Sequence, residues 1–307
     1  MTGRPWIRRG ARQVARTVCH GYPLMSGMGR IANSAPFRYL AEEQETEVVA
    51  DLRGGGKVRA RLDDFVGRSV FFFGDLDPKV RWICKRILRP GDVVVDVGAN
   101  IGMVTMMAAR LVGATGHVYA VEPQVDLAEQ VALSARLNGY RNVSVHAIAL
   151  SDTSGQMTLV VPIDNAGAAS LVGGQSGRTA TVNVERTDAF LRSIGVGDVR
   201  LLKIDVEGHE AAVIAGATSA LQASGPDVVL FEEHGSPAHL QASVRLIQDF
   251  GYEVFAIPRA KFRLRLTAVT DSPYAHDFVA VRRDSRGRQA LRDLRSAVGR
   301  VESVEVV

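Results

Sequence analysis

Cysteine is nearly absent from this chain. Cys19 and Cys84 are the only two, they lie in different segments, and they have neither metal-ligand nor redox spacing. A disulfide-stapled or zinc-ribbon fold is excluded, and a reduced, cytoplasmic setting is expected. Aromatic residues make up 6% of the chain. No window approaches the roughly eighteen consecutive apolar residues of a membrane-spanning helix. The dinucleotide fingerprint G-x-G-x-x-G is missing as well. Acids are missing from residues 1–41, which hold seven Arg, while residues 282–300 hold seven Arg against two Asp. The formal charge of +4 therefore sits at the two ends, and the body between them is net acidic. An enzyme acting on nucleic acid carries a basic stripe around its cleft, so no nucleic-acid partner is expected.

The 307 residues, 46% of them hydrophobic, suffice for one large core with a small extension. Arg8 and Arg9 resemble a twin-arginine export signal, but Gly10, Ala11 and Arg12 follow where an apolar stretch is needed, so export is not expected. Arg4, Arg8, Arg9, Arg12 and Arg16 interleave with Trp6, Ile7, Val14 and Val18. Such a pattern reads either as a basic amphipathic helix on a membrane surface or partner, or as a frayed, solvated terminus. The second, simpler reading makes residues 1–44 a flexible basic segment.

What is present centres on DVVVDVGANIG, Asp92 to Gly102. Val93, Val94, Val95 and Val97 read as a strand buried on both faces, and Met103 to Leu111 as the helix after it. The glycine-rich turn between them lies at the carboxyl edge of a parallel sheet, where open α/β folds bind ligands. A carboxylate there, Asp96, repels a pyrophosphate and suits a cation. S-adenosylmethionine, with a sulfonium and an ammonium and no phosphate, meets that requirement. Gly98 and Gly102 lack a Cβ and allow close backbone approach. A second strand, His117 to Val121, ends in Glu122, placed to accept two ribose hydroxyls.

Upstream, Glu47–Leu52 and Lys57–Leu62 read as strands around Gly54–Gly56, and the aromatic run Val70–Phe73 follows, giving a β-rich extension over residues 45–89. It includes a helical stripe over Pro78–Leu88. Downstream, helix Leu127–Leu137, strand Val143–Leu150, strand Met157–Val161, a mobile loop over Pro162–Arg178, strand Val182–Val184, helix Thr187–Ile194 and strand Val199–Ile204 are expected. Helix Ala211–Leu221, strand Val228–Phe231, helix Ala238–Phe250, strand Tyr252–Ile257 and strand Phe278–Val281 complete the alternation, the last two as an antiparallel edge hairpin. Residues 90–283 thus read as an α/β domain with helices on both faces of a mostly parallel sheet, and residues 284–307 as an Arg-rich tail.

With VVVDVGANIG, VYAVEP, VSVHAIALSD and LLKIDVEGHE in this order, the chain resembles the FkbM family of S-adenosylmethionine-dependent methyltransferases over about residues 45–282. KIDVEGHE, Lys203 to Glu210, is its most specific element, and NAGAASL, TVNVERTDAFL and VLFEEH agree with it. The resemblance implies a class I, Rossmann-like methyltransferase fold of seven strands with the last antiparallel. It further implies methyl transfer to a hydroxyl of a saccharide, polyketide or other natural product. By carry-over, Asp96, Gly98, Asn100 and Gly102 line the methionine end of S-adenosylmethionine, Glu122 holds the ribose, and Ser151 and Asp152 lie near the adenine.

A general base is needed to take the acceptor proton. Asp205, at a strand end beside the cofactor turn, is the best-placed carboxylate. His209 titrates near neutrality, although a histidine in a first helical turn also serves to bond a neighbouring strand. Glu207 and Glu210 begin the same helix, and Glu232 and His234 form the opposing wall. Asp205, Glu207, Glu232 and Glu233 offer oxygen ligands of the kind Mg²⁺ takes, but carboxylates at strand ends need no metal, and none is assigned. The alternatives are an oxidoreductase on a dinucleotide fold, opposed by the missing glycine spacing and by Asp96, and a catalytically silent cofactor-binding module. The acceptor's identity and the oligomeric state have no signature in the chain.

Overall fold

Amino-terminal residues that read as a frayed end are helical. The computed structural model describes residues 5–42, 46–162, 165–171, 177–195, 198–222, 225–233, 237–259, 264–271 and 275–295. Helix α1 (Pro5–His20) is followed by α2 (Met28–Ala32) and α3 (Ala35–Ala41). Strands β1 (Glu47–Asp51) and β2 (Lys57–Arg61) form the expected antiparallel hairpin. The aromatic run expected to follow them in β-rich structure is helical instead. Helix α4 (Phe65–Phe73) starts at Asp64, whose carboxylate accepts the N–H of Gly67, a capping bond that satisfies one otherwise orphaned donor. Every residue of α4 after Phe65 is buried, its two polar side chains included, since Arg68 donates to Asn33 and the Leu62 carbonyl and Ser69 to the Phe65 carbonyl. Cys19, Met28, Ala32 and Ala41 share its cluster, and the Phe37 ring meets Phe72 edge-on at 4.9 Å. The helices of residues 5–42 are packed, because Phe71, Phe72 and Phe73 give them something to cover.

Helix α5 (Pro78–Ile87) buries the expected stripe Val80, Ile83, Cys84 and Ile87. The βα alternation then runs β3 (Val93–Val97), α6 (Met103–Val112), β4 (His117–Val121), α7 (Val125–Leu137) and β5 (Val143–His146). The single strand expected over Val143–Leu150 is divided. Its second half, β6 (Ala149–Ser151), joins β7 (Gly155–Val161) and β8 (Arg178–Arg186) in a separate sheet of order β6-β8-β7. Part of the loop expected over Pro162–Arg178 is ordered by backbone bonds between Val160 and Ser170, while residues 163–164 and 172–176 lie outside the described residues. After α8 (Thr187–Ser193) and β9 (Leu201–Ile204), the helix expected over Ala211–Leu221 is two, α9 (Glu210–Gly216) and α10 (Thr218–Gln222). The chain continues through β10 (Val228–Glu232), α11 (Pro237–Asp249), β11 (Tyr252–Ile257), β12 (Thr267–Ala268), β13 (Asp277–Arg282) and α12 (Ser285–Arg295).

The main sheet has the order β12-β11-β13-β10-β9-β3-β4-β5. These are the seven expected strands plus the two-residue β12 at one edge. The last long strand, β13, is antiparallel to both neighbours, as expected, but it is interior, between β10 and β11. Its side chains explain this: Val279 and Val281 enter the core on one face, Phe278 and Ala280 the core on the other, and a strand apolar on both faces is not an edge. Ile83 of α5, Ala108 of α6 and Leu294 of α12 pack on the first face. Phe190 of α8, Val213 of α9 and Ile247 of α11 pack on the second. The expected Arg-rich tail is thus helical over 285–295, and residues 296–307 lie outside the described residues.

Phe72→Ala removes a ring with no exposed surface and is expected to cost about 3–5 kcal/mol. Urea unfolding followed by far-UV circular dichroism checks this: one transition at lower urea fits an integral amino-terminal layer, and an earlier separate transition would show that the layer folds apart.

Candidate active site

Parallel register brings the strand ends level. Val97 of β3 lies beside Val121 of β4 and Ile204 of β9, and Ile204 lies beside Phe231 of β10. The next residue of each strand, Gly98, Glu122, Asp205 and Glu232, therefore forms one row along the carboxyl edge. A cavity of about 570 Å³ opens over this row. One wall carries Asn100, Ile101, Glu122, Gln124, Ile148 and Leu150, and the other Leu76, Asp77, Lys79, Asp205, Glu207 and Glu232. Gly27 and Gly29, beside and in α2, contribute to the rim, so the amino-terminal layer helps enclose the site.

Glu122 follows the end of β4 and lines the cavity. One carboxylate oxygen accepts the N–H of Asn100 at 2.9 Å and the other the N–H of Gln124 at 3.0 Å. Burial raises its pKa above the usual carboxylate value, with the two N–H donors opposing. Asn100 holds a left-handed φ of 53° with its side-chain oxygen accepting from Ile101 N–H. This turn is stabilised by the Asx-type bond that asparagine supplies.

Asp96 does not line the cavity. Strand alternation turns Val95 and Val97 to one face and Asp96 to the other, where it is fully buried against α6 and accepts the Thr105 hydroxyl at 2.6 Å. Its direct register partner is Lys203, whose ammonium lies 3.2 Å from Asp96 and 3.4 Å from Asp205, and donates to the Gly98 carbonyl at 2.8 Å. The charge expected to attract a sulfonium is thus balanced inside the protein, and the acids facing the cavity are Glu122, Asp77, Asp205, Glu207 and Glu232. Burial alone pulls the Lys203 pKa down, but Asp96 and Asp205 hold it above its ordinary value.

Gly98 lines the cavity as expected and has a second role in strand packing, while Gly102 departs from expectation. A Cβ on Gly98, where φ is +75°, would stand 1.8 Å from the Asp205 carbonyl oxygen, so its bareness lets β3 and β9 close on each other. Gly102 is the left-handed N-cap of α6 and is absent from the cavity wall, which Ile101, Met103 and Val104 form in its place. Ser151 and Asp152 are likewise displaced from the expected adenine position. Ile148, Ala149 and Leu150 line the cavity there, because Ser151 is turned inward to His209, its Oγ 2.9 Å from Nε2. His209 lines the cavity, as expected of a candidate base, and also bonds a neighbouring strand through Ser151, with a pKa lowered by burial and partly restored by Asp152.

Asp205 is on the cavity wall with 39% of its side chain exposed, and burial raises its pKa against the pull of Lys203. Glu207 has a left-handed φ of 52°, and its carbonyl accepts the Ser170 hydroxyl at 2.7 Å, tying NAGAASL to KIDVEGHE. Glu233 is not part of the mouth: it is buried and accepts from Ser243. His234 lies outside the described residues. Among the described residues no three His, Cys, Asp or Glu side chains converge as metal ligands.

Two residues of the cavity wall, Asp77 and Lys79, and the buried Asp277 beside them have no counterpart among the sequence candidates. Asp77 caps α5, accepting the N–H groups of Lys79 and Val80 at 2.9 and 3.2 Å. Its pKa is pushed up to about 7, by burial first, opposed by Lys79 and reinforced by Asp277 and Glu232. Lys79 pairs with Asp277, which stands opposite Glu232 in the antiparallel register. The Asp77-Pro78 pair is a legible helix start, but nothing local in the chain places it over a site 20 residues upstream of the cofactor turn.

The cavity's polar inventory fits S-adenosylmethionine. The buried side-chain oxygen of Asn165, on the wall, has no hydrogen-bond partner among the described residues, and such an atom calls for a donor. Glu122 retains acceptor capacity, and Ile148 and Leu150 provide an apolar slot. Strand order, the glycine turn after the first sheet strand and the acid after the second define a class I methyltransferase dependent on S-adenosylmethionine.

A family model described as the methyltransferase FkbM domain matches residues 96–254, and the chain belongs to that family. It is 31% identical over 204 residues to the 31-O-demethyl-FK506 methyltransferase FkbM of Streptomyces tacrolimicus, covering 55% of this chain and 75% of that one. It is 30% identical over 132 residues to the hexuronic acid methyltransferase AglP of Haloferax volcanii, covering 43% and 52%. The solved FkbM methyltransferase of Methylobacillus flagellatus KT aligns with a TM-score of 0.44 at 16% identity, covering 62% of this chain and 43% of that one. The chain thus spans about half the length of the second and less than half of the third. Family membership sets aside the oxidoreductase alternative.

Lys203→Met leaves Asp96 buried without a counter-ion and is expected to destabilise the protein by about 3–5 kcal/mol in urea unfolding. Glu210 tests the loop behind the site. It is fully buried, accepts the N–H groups of Val206 and Gly208, and burial raises its pKa from 4.5 to about 7. The folded state holds this proton more tightly than the unfolded state, so its contribution to stability falls as pH rises through that interval. The stability of wild type relative to Glu210→Gln is expected to drop by ~2–3 kcal/mol between about pH 4.5 and pH 7.5, and a pH-independent difference would refute the assignment.

Proposed function

We propose that this chain transfers a methyl group to a hydroxyl of a saccharide, polyketide or related natural product. The observation that carries the reading is Asp205: a carboxylate in the strand-end row, partly exposed to the cavity and pinned 3.4 Å from the buried Lys203 ammonium. A hydroxyl is a weak nucleophile until its proton has an acceptor, and a positioned base supplies about 10²–10⁴ in rate. The name of one relative, a 31-O-demethyl-FK506 methyltransferase, supports an oxygen acceptor, and that of another, a hexuronic acid methyltransferase, supports a saccharide. The acidic wall of Asp77, Glu207 and Glu232 disfavours a polyanionic nucleic acid.

When bound, S-adenosylmethionine supplies an electrophilic methyl on a sulfonium. Glu122 and Asn100 are assigned to its ribose, Asn165 to a donor group, and Ile148 and Leu150 to the adenine. Asp205 would take the acceptor hydroxyl's proton while the methyl exchanged its carbon–sulfur bond for a carbon–oxygen bond. Glu207 and Glu232 hold acceptor hydroxyls on the facing wall. His209, with Nε2 on Ser151, positions the loop that carries Asp205 and is assigned no proton transfer. Lys203 keeps the Asp205 carboxylate oriented and offsets the cost of ionising it away from bulk water.

Asp205→Asn is expected to lower kcat by about 10²–10⁴ with the calorimetric Kd for S-adenosylmethionine unchanged. Methyl transfer is assayed from labelled cofactor to glucuronic-acid oligosaccharides and hydroxylated macrolides. Unaltered kcat would remove Asp205 as base. Cofactor binding with no transfer to either acceptor class would favour a catalytically silent module.

A further inference from the structure

A surface helix of a globular protein buries its apolar stripe and shows its charges to water. Helix α1 does the reverse. The Arg8 guanidinium lies 5.7 Å from the Tyr39 ring and 3.6 Å from the Glu42 carboxylate. Arg12 and Arg16 stand 5.6 and 5.0 Å over the Phe71 ring, and Arg16 also pairs with Asp51 at 2.5 Å. With Cys19 buried beside them, the arginines form the inward face. At about 100° per residue, Trp6, Ile7, Val14 and Val18 fall on the opposite arc, and they are 66%, 51%, 64% and 69% exposed. Gly10, Ala11, Gln13 and Thr17 complete that arc, with the exposed Arg9 at its margin. Three cation–ring contacts and two ion pairs hold α1 in this orientation, so the apolar arc is presented to whatever lies outside.

The charge of the layer selects the occupant. Residues 1–41 contain seven Arg and no acid, and Arg30 and Arg38 in the next two helices are exposed. A second copy docking through a two-fold axis would set this basic layer against itself. An anionic surface is complementary to the exposed Arg9, Arg30 and Arg38, and an arc of Trp and aliphatic residues with an exposed arginine at its margin is the pattern of a helix lying in a bilayer interface. Among the described residues no helix is long and apolar enough to cross a membrane, so the contact is peripheral. We propose that α1 docks by its outer arc on an anionic phospholipid bilayer. The chain runs from α1 through a short loop into Met25, Ser26 and Gly27 of the cavity rim, so docking holds the rim close to the bilayer surface.

Cosedimentation of the full chain with vesicles tests this independently of any methyl acceptor. Binding is expected to phosphatidylglycerol–phosphatidylcholine vesicles and not to phosphatidylcholine alone, and it is expected to weaken with salt. The triple variant Trp6→Ser, Val14→Ser, Val18→Ser alters exposed side chains only; its Tm is expected to match wild type while its partitioning falls roughly tenfold or more. In a Trp82→Phe background, Trp6 is the remaining tryptophan, and its emission is expected to shift to the blue with anionic vesicles. Absence of binding by wild type, or binding that the triple variant retains, would overturn the proposal. So would a wild-type dimer that the triple variant dissociates, since that would place a second copy on the arc.

Discussion

The site depends on one buried cation. Lys203 sits in the middle of a parallel sheet, where a charge is tolerated only if paired and hydrogen-bonded, and its partners are distributed so that they define the site. Asp96, its register neighbour on β3, neutralises it from below. The Gly98 carbonyl takes one of its protons and so fixes the first residue of the cofactor turn. Asp205, two residues along β9, is held at the cavity face. The same ion therefore couples the cofactor side to the acceptor side. Gly98 allows this closeness, since any side chain there would collide with the Asp205 carbonyl.

Most of the sheet was legible in the chain because apolar strands and amphipathic helices carry their period in the sequence. β3, β4, β9 and β10, together with the acids that follow or end them, lie where the pattern placed them. Glu122 was legible for the same reason: a strand end is a position, and register converts position into proximity. Asp96 was misread because strand alternation decides the direction of a side chain, and the valines on either side of it point the other way. Ser151 and Asp152 were misread because β5 and β6 part company after His146, sending the chain into a second sheet. Asp77, Lys79 and Asp277 were invisible as a cluster, since residues 198 apart in sequence meet only through tertiary packing.

The aromatic run at 70–73 shows a different limit. Val-Phe-Phe-Phe has high strand propensity, yet Asp64 offers a cap and the run is enclosed on all sides, so packing overrides propensity. Once α4 is a buried helix, α1, α2 and α3 become its cover, and the residues between α1 and α2 become a wall of the cavity. The amino-terminal layer is thus part of the cavity's enclosure, and Arg8, Arg12 and Arg16 spend their charge on neighbouring rings and acids.

The interior position of β13 has a consequence for biosynthesis. A ribosome that has delivered the chain as far as Ile257 has already translated the glycine turn, Glu122, the Lys203 ion pair and β10. At that moment β10 has a naked backbone edge, the kind of surface that recruits stray strands from neighbouring polypeptides. Only when residues 277–282 emerge and slide in beside it is the ladder closed, and the same event delivers Asp277 to Lys79 and Glu232. Sealing of the sheet and completion of the Lys79–Asp277 pair beside the cavity are thus one event.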